Sequence, residues 1–127
     1  MELALIAPLF LSLLAGIIEF GQAFRIQHSL SHAARRGARA AIVDGATTEQ
    51  VVQRIRTACV LTLGVDEEDV IVEIAVNGNP SMNLSLAEQS DEIRVSVQVP
   101  YSKAGAGFYA QTFSGAMLTS TCTLEHE

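Results

Sequence analysis

Between Leu3 and Ile18 the chain has no charged residue at all. It is also poor in basic residues, with eight Lys and Arg against fourteen Asp and Glu, a formal net charge of -6. It has only two cysteines and three prolines in 127 residues. Each scarcity excludes something. A secretory signal peptide needs a basic segment before its apolar core and a small-residue cleavage site after it. Here no basic residue precedes the run, and the run leads into Glu19. A nucleic-acid partner needs a basic face. The segment Asp44 to Glu127 instead carries twelve acids against four bases, a balance of -8. The length suits one small domain.

What is present at the start is an apolar segment long enough to span a bilayer. About 20 apolar residues are needed, and Leu3 to Phe24 supplies them if Glu19 is tolerated. A carboxylate at bilayer depth costs about 2.5–3.5 kcal/mol on insertion scales, so a chain that keeps one either pairs it or leaves it at the interface. Both alternatives stand for Glu19: a solvated interfacial position, or pairing with Arg25 or with a basic residue of another subunit.

The helical pattern does not stop with the apolar run. No proline falls between Phe24 and Val43, and Gly37 is the one glycine there. Ile26, Leu30, Ala33, Ala34, Gly37, Ala41 and Ile42 recur at three- and four-residue spacing, which defines one helical face. Arg25, His28, His32, Arg35, Arg36 and Arg39 fill much of the remainder. A single helix of about 65 Å to near Val43 is predicted, apolar all round in its first half and amphipathic in its second. Asp44-Gly45 ends it.

An α+β module follows. Thr47 and Gln50 have the spacing of a capping box before a helix over 48–63, closed by Gly64. Alternation predicts strands at about 70–76, 92–99 and 117–124. Asn77-Gly78-Asn79-Pro80 reads as a turn. A sheet with one apolar face needs a cover, and the amphipathic half of the first helix supplies it. The organisation is therefore a membrane-length segment over 1–24 and an α+β domain over 25–127.

Three separated motifs in order now carry a resemblance. The opening Glu2-Leu3-Ala4-Leu5-Ile6-Ala7-Pro8, the stretch Gly16-Ile17-Ile18-Glu19-Phe20-Gly21-Gln22 and the segment from Ala33 to Ala41 resemble the TadE-like pseudopilins of tight-adherence (Tad) pili. The resemblance covers roughly the first 43 residues. It implies a pilin-like fold: a long N-terminal helix packed on a small antiparallel sheet with one additional helix. It implies a structural subunit, major or minor, of a type IV-like filament that supports adhesion. Its partners would be other copies of itself or related pilins, the inner-membrane assembly machinery, a prepilin peptidase and, before assembly, membrane lipid. The subunit would wait in the inner membrane and then reach the cell surface. Members are made with a basic leader removed just ahead of the opening glutamate; here Met1 alone precedes Glu2.

The resemblance also assigns roles in assembly. Glu2 matches the glutamate that meets the N-terminal ammonium of a neighbouring subunit, and Pro8 belongs to the same opening motif. Glu19 is the second motif glutamate. Arg35, Arg36 and Arg39 form a basic collar just beyond the membrane-length segment, expected to contact an acidic residue on the same or a neighbouring chain. A bitopic accessory protein that binds assembly factors without entering a filament is the alternative.

Other groupings are weaker. Gly105-Ala106-Gly107-Phe108-Tyr109-Ala110 fits a GxGxxA pattern, but too little chain follows for a βαβ unit. His28 and His32 stand four apart on a helix, a spacing zinc can use, with no third ligand evident. Ser29 and Ser31 lack a nucleophile elbow. Asp66-Glu67-Glu68-Asp69 lacks the glycine and spacing of a calcium loop and reads as a solvated turn. Asn83-Leu84-Ser85 fits a glycosylation sequon. No catalytic residues, cofactor or metal site are expected, and no enzyme activity. Cys59, on the inner face of the second helix, and Cys122, on the apolar face of the last strand, are expected to pair outside the cytoplasm.

Overall fold

A computed structural model describes residues 2–43, 45–105, 107 and 112–126, with the backbone alone at Glu2. It opens with one helix, α1 (Glu2–Ala41), 40 residues long and therefore about 60 Å at 1.5 Å per residue. Pro8 lies inside it. Proline has no N–H to give the preceding turn, and it sits among exposed residues near the helix start, where nothing has to close over the gap. The Pro8 carbonyl accepts a hydrogen bond from Ser12 Oγ at 2.9 Å.

Helix α2 (Thr48–Leu63) is bounded by the residues that its caps require. Thr47 is extended and its side chain accepts from the Gln50 N–H. Gly64 closes the helix in the left-handed region at φ 67, where a glycine carries no Cβ penalty. Single 3-10 turns follow at Glu67–Asp69 and Leu84–Leu86. Asn77 and Gly78 both have positive φ, and Val76 and Asn79 bond to each other across them. That is the geometry an Asn-Gly pair favours.

Strands β1 (Ile71–Val76), β2 (Glu92–Pro100) and β3 (Met117–Glu125) form an antiparallel sheet in that order. The register stacks Ile74, Val95 and Cys122 in one row and Val76, Ile93 and Leu124 in another. Ile93, Val95, Val97 and Val99 of the central strand are wholly buried. Arg94, Ser96 and Gln98 alternate with them and face away from the core, Ser96 within 3.2 Å of Thr121 across the strand pair.

The second half of α1 covers the apolar face. Ile26, Leu30, Ala33, Ala34, Ala38 and Ala41 are buried there. Gln27 Nε2 donates to the Thr119 carbonyl at 2.8 Å, and Ser120 Oγ donates to Ser31 Oγ at 3.2 Å, fixing α1 along β3. Gly37 lies in a tight contact between the two helices: a Cβ added there would overlap the Ile55 side chain of α2. The fold is thus the α+β, pilin-like arrangement that the sequence pattern predicts.

Two expectations need correction. Helix α1 ends at Ala41, before Asp44-Gly45, and Ile42 makes its last turn contact through a hydrogen bond to the Ala38 carbonyl. Cys59 and Cys122 are free thiols. Helix α2 packs on α1 and on β1, whereas Cys122 belongs to the opposite edge strand. Burial pushes the Cys59 thiol pKa up, which keeps it protonated.

Candidate functional site: the junction of stem and domain

The two halves of α1 meet very different surroundings. From Leu3 to Phe24 the large apolar side chains stand exposed, Leu3 at 81% and Phe24 at 72%. From Ile26 onward one face is in the core. The helix is therefore a bare apolar stem that continues without a break into the domain. It is long and apolar enough to cross a membrane.

Glu19 interrupts the bareness. It is 7% exposed, buried among neighbours that are otherwise open. Its Oε1 accepts a 2.5 Å hydrogen bond from the Tyr101 hydroxyl. Tyr101 reaches it because Pro100 ends β2 and the chain turns at once into the short helix α3 (Tyr101–Ala104). The Tyr101 N–H donates to the Ala116 carbonyl at 2.9 Å, which ties that turn to the segment entering β3. Gly107 closes the far side of the carboxylate: any Cβ at that position would overlap the Glu19 carboxyl group. Phe20, Ala23, Phe113, Ala116 and Leu118 line an open apolar groove of about 470 Å³ together with Glu19 and Tyr101.

The electrostatics follow from the burial. A carboxylate removed from water needs hydrogen-bond donors, and a bond to a charged group is worth about 1.5–3 kcal/mol. Tyr101 supplies one. Its own pKa is pushed up to about 12, first by burial and then by the hydrogen bond and negative charge of Glu19. The hydroxyl therefore stays a donor throughout the neutral range. Among the described residues the site shows no nucleophile–base pair. The bond ties the stem to the domain at a fixed point along α1.

The other sequence-predicted residues are dispersed. Glu2 is the first residue of α1, and its side chain lies outside the described residues. Pro8 is on the exposed stem. Arg35, Arg36 and Arg39 are exposed, and none forms an ion pair among the described residues, where Arg94 with Glu92 is the pair present. Two of the readings of Glu19, solvation and pairing with Arg25, do not match what is seen within the chain. It is not solvated, and its bond to Tyr101 is made where an Arg25 contact was expected; Arg25 is exposed. Much of the GxGxxA stretch, residues 106 and 108–110, lies outside the described residues.

Sequence reasoning missed Tyr101 and Gly107. The separation of 82 residues between Glu19 and Tyr101 hides the contact from any local pattern. One signal was available: a tyrosine directly after a strand-ending proline puts a polar-tipped aromatic at the sheet's edge.

A bare apolar helical stem, continuous with a helix that lids a small antiparallel sheet, is a pilin-like arrangement. Residues 1–39 match the family model described as TadE-like protein. The matched segment contains the stem, Glu2, Glu19 and the arginine collar. No curated protein and no solved structure matches the chain. The apolar stem and the family match together support membrane association.

Proposed function

We propose that this protein is a structural subunit of a Tad pilus filament, held in the inner membrane by its stem and then assembled through it with copies of itself or related pilins. The observation that carries this reading is the stem itself: Leu3 to Ile18 is uncharged and its large side chains are exposed, so its burial must come from lipid or from other stems. Exchanging lipid for neighbouring helices conserves that burial, so one segment serves both states. The charge division supports it too, with +2 over residues 1–43 and -8 over residues 44–127. In a staggered stack, the collar of one subunit would face the acidic domain of another, and such charges steer and register association. Prepilin peptidase and the inner-membrane assembly machinery are the partners implied before assembly. The filament would serve surface attachment, and the subunit would act without catalysing a reaction.

Glu2 gives the test. A carboxylate at the edge of an apolar run is favourable when a partner charge is docked in register. Glu2→Gln and Glu2→Ala are expected to leave the protein in the membrane fraction and to reduce or abolish its recovery in sheared filaments. Normal filament yield from Glu2→Ala would sink the registration role. A wild-type protein that stays in the membrane fraction while filaments form without it would make it an accessory factor instead.

A further inference from the structure

His28 and His32 project from one face of α1 with their Nε2 atoms 2.9 Å apart. Their ring centroids are 4.5 Å apart and the rings are nearly perpendicular, at 86°. Both side chains are exposed, while Ile26, Leu30, Ala33 and Ala34 hold the opposite face of the same turns in the core. The pair is therefore mounted on a backbone that packing has already fixed.

We propose that His28 and His32 form a bidentate site for one divalent transition-metal ion, Cu(II) before Ni(II) or Zn(II). Metal–imidazole bonds run about 2.0–2.1 Å, so two of them meeting near 90° set their nitrogens about 2.9 Å apart. That is the separation found. A tetrahedral angle needs about 3.4 Å, a wider opening of the two rings. The square arrangement preferred by Cu(II) thus fits the pair as it stands, and Cu(II) also heads the affinity order for nitrogen ligands. Two imidazoles without a carboxylate select against Ca²⁺ and Mg²⁺, which take oxygen.

The protons balance. In the metal-free pair one ring donates its Nε2–H to the bare Nε2 of the other. On binding, both rings carry their proton on Nδ1 and present lone pairs at Nε2, so a change of tautomer suffices. Water fills the remaining positions, since among the described residues no third His, Cys, Asp or Glu joins the pair. Cys59 lines a neighbouring groove with His32, but it is buried on the inner face of α2 and joins no ligand group among the described residues. Arg36 lines the same groove, and its charge keeps the affinity below that of a closed structural site.

The site is independent of any role in a filament and is tested on the full chain in detergent micelles. Copper chloride, titrated in against a weak competing chelator, is expected to bind at one ion per chain, with an electron paramagnetic resonance spectrum of two nitrogen ligands. His28→Asn or His32→Asn is each expected to weaken binding roughly 100-fold, since the second ligand acts at the high effective concentration of a tethered group. The double variant is expected to lose the site while circular dichroism stays unchanged, because both side chains are exposed. Copper binding of equal strength in the double variant overturns the proposal, as does a wild-type spectrum with one nitrogen or none.

Discussion

The Tyr101 hydroxyl donates a 2.5 Å hydrogen bond to the buried carboxylate of Glu19, joining the end of β2 to the middle of α1. The contact falls where the stem enters the domain, so it sets how far the bare helix projects. Tyr101→Phe removes the donor and leaves the acceptor buried. The expected loss of domain stability is about 1.5–3 kcal/mol, read by thermal or denaturant unfolding in micelles. Glu19→Gln keeps an acceptor for Tyr101, so it should cost less than Glu19→Ala. A double-mutant cycle between Tyr101→Phe and Glu19→Ala should show clear coupling. Additive losses would mean that the bond does not hold stem to domain.

The same bond has a signature at high pH. The Tyr101 pKa is raised from 10.0 to about 12. A group whose pKa is higher when folded stabilises the fold below its unfolded pKa and loses that contribution as pH rises through the folded value. Stability should therefore be unaffected by this group up to about pH 9, and its contribution should be lost between about pH 10 and 12. Tyrosinate absorbance should show one of the chain's two tyrosines titrating late, and Tyr101→Phe should remove that late phase. A single normal transition for both tyrosines would contradict the burial.

Gly37 of α1 packs tightly against Ile55 of α2. An added Cβ would overlap Ile55 and come within 3.4 Å of Val95 Cγ1. Gly37→Ala trades a small gain in helix propensity, about 1 kcal/mol, against overpacking of about 1–3 kcal/mol. A net loss is expected. Trimming Ile55 to Val in the same chain should recover part of it, because the branch that clashes is shortened. If Gly37→Ala is as stable as the parent at its unfolding midpoint, the helices are not in contact there.

Much of this architecture was legible in the sequence. The span of α2 follows from Thr47 and Gly64, whose capping is chemical and local. Strand β2 follows from strict alternation of Ile93, Val95, Val97 and Val99 with polar residues. The buried face of α1 follows from helical spacing, with Ala38 the one addition. The end of α1 was placed too late, since Ile42 is only half-buried and its spacing alone does not decide whether the helix continues. The environment of Glu19 was not legible. Local reading offers it water, Arg25 a few residues on, or a base on another subunit, whereas the bond seen within the chain comes from Tyr101, directly after β2. The disulfide expectation failed similarly: both cysteines lie on inward faces, as read, but sequence does not say that α2 packs beside β1 while Cys122 lies on the opposite edge strand.

Those cysteines give a direct check. With both thiols free, protein unfolded without reductant should label at both positions. In the folded protein, Cys59 should react far more slowly than an exposed thiol, being 2% exposed and held protonated by its burial. Absence of labelling in the unfolded, unreduced chain would restore the Cys59–Cys122 pairing.

The arginine collar bears on assembly rather than on folding. Arg35, Arg36 and Arg39 are exposed and form no ion pair among the described residues. Isolated exposed pairs contribute only about 0–1 kcal/mol, and loss of these arginines should leave the monomer fold intact. Their effect should appear when subunits meet, because the domain that a neighbouring collar would approach is strongly acidic. Replacing Arg35 and Arg36 together by Glu turns attraction into repulsion. Filament yield should fall while circular dichroism of the monomer is unchanged. The defect should deepen as salt is lowered, since the screening length grows from about 8 Å at physiological ionic strength to about 30 Å at 0.01 M. The single change Arg94→Glu, made on the sheet face away from α1, serves as a charge control and should have a smaller effect. If the double reversal assembles at the parental rate in low salt, the collar plays no part in registering subunits.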